Sequence, residues 1–79
     1  MEMYIYFPHP LGIPRDEIED LIQDSLGQAG EVTGAGAGLN GSNIDVEVFG
    51  DARDYIEPIQ RLLRQAGAPL GTVIVVEGQ

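Results

Sequence analysis

The chain predicts an α+β fold, with one four-stranded antiparallel sheet and two helices on one of its faces. Three observations carry that expectation. Asn40-Gly41 sits between two strand-like arms near the middle of the chain, where it marks a tight hairpin. Apolar residues recur at helical spacing on either side of the hairpin, in residues 18–26 and 56–66. The outer segments, Met1–Pro8 and Thr72–Glu77, have the composition of strands. The order is strand, helix, strand, strand, helix, strand, a single domain over residues 1–79.

In the first strand Met3, Ile5 and Phe7 share one face, and Tyr4 and Tyr6 the other. Pro8 and Pro10 end it, because proline has no N–H to give to a ladder. His9 lies between them and is the single histidine. No serine or carboxylate is implied beside it, so it is expected in an exposed loop rather than in a catalytic pair. Pro14 suits the first position of a helix, and Asp16 and Glu17 complement its positive end. Ile18, Leu21, Ile22 and Leu26 supply the buried stripe, with Gly27 or Gly30 as the stop. Asp16, Asp20 and Asp24 recur four apart on the other side. They read as a solvated face or as an anionic ridge for a cationic partner. Because they run along one line and do not converge, no metal site is expected.

The hairpin is the segment from which function is argued. With Asn40-Gly41 as the turn, Thr33, Ala35, Ala37 and Leu39 oppose Val48, Val46, Ile44 and Ser42 on the core side. Val32, Gly34, Gly36 and Gly38 then oppose Phe49, Glu47, Asp45 and Asn43 on the other. Glycine weakens a strand by roughly 0.5–1 kcal/mol relative to alanine, so three alternating glycines require a reason. One reason is close approach by a ligand or a second chain; the other is local geometry, a twist or a bulge.

Asp51 or Asp54 opens the second helix, the latter in a capping-box spacing with Glu57. With Asp54 as cap, Pro58 falls in or just past the first turn; with Asp51 it would kink the helix. Ile56, Ile59, Leu62, Leu63 and Ala66 form the stripe, and Gly67 ends it. The last strand, Thr72–Glu77, is apolar on both faces, so one face must cover something beyond the helices.

Composition narrows the chemistry. There is no cysteine, hence no disulfide, thiol or zinc-thiolate chemistry, in keeping with a cytoplasmic protein. No apolar run is long enough to span a bilayer, and no membrane partner is expected. The formal net charge is −9 and lysine is absent, the cations being Arg15, Arg53, Arg61 and Arg64. That balance argues against nucleic acid, whose binding rests on neutralised phosphates. The GAGAG run lacks the helix N-terminus that a phosphate cradle needs.

The element order resembles the split βαβ, ferredoxin-like layout over essentially the whole chain. The segments GEVTGAGAG, NIDVEV and APLGTVI are similar to those of small bacterial proteins with this layout. The resemblance implies central first and third strands and helices on one face only. It implies no activity, since this fold hosts many unrelated functions.

The open face is expected to carry Tyr4, Tyr6, Gly34, Gly36, Asp45, Glu47 and Phe49 as binding residues. Aromatic groups amid carboxylates suit arginine or lysine on a partner. The expected function is a small acidic protein-interaction module without cofactor or metal. Its partner is a second copy or a basic protein, in the manner of an immunity protein masking a basic toxin. The alternative is a small-molecule sensor or carrier with a dimer-enclosed pocket. Asp45 and Glu47, about 7 Å apart along one strand face, stand on an open surface that does not exclude water, so catalysis is not expected.

Overall fold

The computed structural model describes residues 1–8, 14–38 and 41–78. Strand β1 (Glu2–Phe7) leads to helix α1 (Arg15–Leu26), strands β2 (Gly30–Gly38) and β3 (Gly41–Val48), helix α2 (Ile56–Gln65) and strand β4 (Val73–Glu77). The four strands form one antiparallel sheet in the order β2-β3-β1-β4, so the first and third strands are central. This is the α+β, β-α-β-β-α-β arrangement that the element order predicts. His9 and its flanking Pro10 lie outside the described residues.

Alternation in β1 and β3 decides which face the helices cover. Met3, Ile5 and Phe7 from β1 join Ile44, Val46 and Val48 from β3 in the core. Ile18, Ile22 and Leu26 of α1 and Ile59 and Leu63 of α2 close over them. Leu21 departs from expectation: it is 43% exposed, because the stripe on α1 is narrower than its four apolar residues suggest.

The termini of the helices show how local chemistry sets the boundaries. Pro14 flanks α1 as its N-cap rather than being its first helical residue. Gly27 ends α1 at a positive φ of 58°. At the second helix, the Asp51 carboxylate accepts the Arg53 backbone N–H at 3.0 Å and opens a 3₁₀ turn, Ala52–Tyr55. The α-helix proper starts only at Ile56, so Pro58 is its third residue and the kink does not arise. Hydrogen bonds from the Arg53 side chain, then from its backbone, hold the Asp51 carboxyl down to about 2. That contribution is present above the ordinary value of 3.8 and is lost as pH falls through about 2.

The hairpin register differs from the expected one. Gly38 pairs with Gly41, Ala37 with Ser42, Gly36 with Asn43, Ala35 with Ile44 and Gly34 with Asp45, a slip of two residues. Gly41 is therefore a ladder residue, not the second residue of the turn; Leu39 and Asn40 lie outside the described residues. Gly41 is needed in the ladder because its φ is 139° and a Cβ there would strike the Phe7 carbonyl oxygen. A slip of two preserves the sides of the sheet from Gly34 onward.

Below Gly34 a bulge intervenes. Thr33 is left unpaired, and Val32 pairs with Val46, Glu31 with Glu47 and Gly30 with Val48. Val32 therefore packs against the core, where sequence alternation had put it on the open side. Thr33, expected on the core side, is exposed, and its hydroxyl donates to the Asp45 carbonyl at 3.3 Å. The α1 residue Gln23 holds this end of β2 in place. Its amide nitrogen donates to the Gly30 carbonyl at 3.0 Å and its amide oxygen accepts the Val32 N–H at 3.1 Å.

Candidate functional site

Neither helix covers the second face of the sheet, and its composition follows from the register, one row at a time. At one end Glu31, Glu47, Glu2 and Glu77 stand opposite one another, a line of four carboxylates across all four strands. The next row is Gly34, Asp45, Tyr4 and Val75. The third is Gly36, Asn43, Tyr6 and Val73. The face thus runs from an acidic end to an aromatic and aliphatic end, and from a bare β2 edge to an aliphatic β4 edge.

The register brings Tyr4, Tyr6, Gly34, Gly36, Asp45 and Glu47 onto this one surface. Phe49 stands apart: it follows the end of β3, 66% exposed, with its N–H donated to the Ala29 carbonyl at 2.8 Å. The Tyr4 and Tyr6 rings lie with centroids 6.5 Å apart. Tyr6 is 47% exposed and Val73 is 51% exposed, so the third row offers apolar surface to water. Sequence reasoning missed Glu2, Glu31 and Glu77, because only cross-strand pairing aligns three separate segments with Glu47. Their signal was a glutamate at one end of each strand. It missed Val73 and Val75 as members of this face for the same reason.

The glycines of β2 answer to their neighbours on β3. The Asn43 side-chain amide donates to Asp45 Oδ1 at 3.0 Å, and both side chains lean over β2. A Cβ on Gly34 would meet Asp45 Oδ2 at 3.4 Å, and one on Gly36 would meet Asn43 Oδ1 at 3.0 Å. Gly36 thus leaves room for the Asn43 amide that is bonded to Asp45, whereas a Cβ on Gly34 would make only ordinary contact.

Like charges directly opposite one another weaken a sheet. The amino group of Met1 partly offsets the row, 3.4 Å from Glu47 Oε2. Burial first, and then the charge of Glu47, holds the Glu2 carboxyl above its ordinary value of 4.5. A raised carboxyl stabilises the fold below that ordinary value and loses this contribution as pH rises through the raised one. Glu2→Gln is therefore expected to raise Tm at pH 7 and to leave it nearly unchanged at pH 3. Thermal scans at the two values check this; an equal shift at both would assign the effect to something other than the charge.

Burial, and then the carboxylates of Glu77, Glu2 and Asp45, push the Tyr4 hydroxyl up, which keeps it a neutral donor. Among the described residues no three His, Asp or Glu side chains are grouped so as to hold a metal ion. No helix there is long and apolar enough to cross a membrane. Clefts of about 300 and 400 Å³ lie beside α2 and between the helices, away from the tyrosines and Asp45. Comparison with protein-family models, curated proteins and solved structures finds no match for the chain.

Proposed function

We propose that the open sheet face is a protein-binding surface for a partner that presents arginine or lysine beside apolar side chains. The observation that carries this reading is the glutamate row set beside Tyr4 and exposed Val75, with exposed Tyr6 and Val73 one row beyond. A cationic group set over Glu2 and Glu47 gains Coulombic attraction and relieves the repulsion within the row. Its aliphatic neighbours cover the tyrosine and valine surface, and the tyrosine rings accept a guanidinium over their faces. With a net charge of −9, long-range attraction brings such a partner in at low salt and weakens as salt rises.

A hexapeptide alternating arginine and leucine serves as probe. In a titration followed by backbone amide shifts, the largest changes are expected in residues 2–6, 43–47 and 73–77. Tyr6→Ala is expected to lower the affinity about tenfold, and Asp45→Lys to lower it further while leaving the fold intact. Shifts confined to the aspartate ridge of α1 (Asp16, Asp20 and Asp24), or an affinity indifferent to both substitutions, would reject this face.

A further inference from the structure

The two outer strands of the sheet are treated differently by the rest of the chain. An uncovered edge is a row of unpaired backbone donors and acceptors, and soluble proteins blunt it by bulges, charges, proline or a covering group. β2 has two such devices, the Gln23 amide on Gly30 and Val32 and the bulge at Thr33. β4 has neither. Among the described residues no side chain hydrogen-bonds to its backbone, its ladder with β1 is unbroken, and four of its five residues are Val or Ile. Ile74 and Val76 point to the helical side but are only half-buried, while Val73 and Val75 are exposed on the other.

We propose that β4 pairs antiparallel with β4 of a second copy of this chain, joining two sheets into one of eight strands. The sequence of the strand is self-complementary in that arrangement. The one register that pairs all five residues sets Val75 opposite itself, Ile74 opposite Val76, and Val73 opposite Glu77. Half-buried Ile74 and Val76 then cover one another, and Val75 meets Val75 on the open face. Antiparallel pairing also puts the glutamate rows of the two copies at opposite ends of the joint, so that Glu77 meets valine rather than Glu77.

Each copy carries a net charge of −9, so this pairing works against charge repulsion and is expected to tighten as salt rises.

The cysteine-free chain gives a direct test. Sedimentation equilibrium of the unmodified chain is expected to show twice the chain mass at about 200 μM, a concentration at which even a weak symmetric association is populated. Under mild oxidation Val75→Cys, which sets two sulfurs across the two-fold axis, is expected to form covalent dimer at least about tenfold faster than Val73→Cys. A monomer mass throughout the concentration range would overturn the proposal. So would equal cross-linking of the two variants, or a dimer whose cross-linking prefers Val73→Cys. None of these results bears on the peptide titration at Tyr6 and Asp45, so this inference and the proposed function fail separately.

Discussion

Gly41→Ala is expected to cost about 3 kcal/mol, a large part of what so small a domain has. Two effects add. The φ of 139° is one that residues with a Cβ rarely adopt, and the new carbon would strike the Phe7 carbonyl oxygen in the neighbouring strand. That oxygen belongs to backbone, so no rotamer change relieves the contact. The first turn of β3 and the end of β1 would have to separate, opening the ladder at Phe7 and Ser42. Urea denaturation followed by circular dichroism checks this. A loss below about 1 kcal/mol would show that the strand can shift without penalty and that the close approach does not hold the two together.

Gly30→Ala is expected to cost about 2 kcal/mol, whereas Gly34→Ala is expected to be neutral or slightly stabilising. The contrast rests on what each Cβ meets. At Gly30 it lies 2.5 Å from the Glu47 carbonyl oxygen and 3.2 Å from the Val48 Cα, both backbone. At Gly34 its nearest neighbour is the Asp45 carboxylate at an ordinary 3.4 Å. Alanine also restricts the unfolded chain at both positions, a gain that only Gly34 can keep. Equal losses at the two sites would mean that the strand tolerates or rejects side chains for reasons unrelated to these contacts.

The run of glycines also shows how far the sequence was legible. Element order, the helical stripes and the sides of β1 and β3 followed from periodicity, because strong two-residue and 3.6-residue patterns survive tertiary packing. The register of the hairpin did not follow. A turn dipeptide assigns pairing only when both of its residues lie in the turn, and Gly41 is held in the ladder by its approach to Phe7. Thr33 has nothing in its identity that marks a bulge; the cause is the pairing of Val32 with Val46 over the core and the grip of Gln23 on either side of Glu31. The candidate surface was half legible. Tyr4, Tyr6, Asp45 and Glu47 came from alternation within two strands, whereas the line through Glu31, Glu2 and Glu77 exists only once four strands are aligned.

A ladder that already carries one surplus residue is a place where chain length is negotiable. Loss of Thr33 alone would leave Val32 facing Val46 and Gly34 facing Asp45, so a chain one residue shorter here would thread the same backbone. The same loss inside β3 would turn valines outward and carboxylates under the helices, with two neighbouring strands to object. In any alignment of this hairpin with a shorter homologue, the gap accordingly falls at position 33.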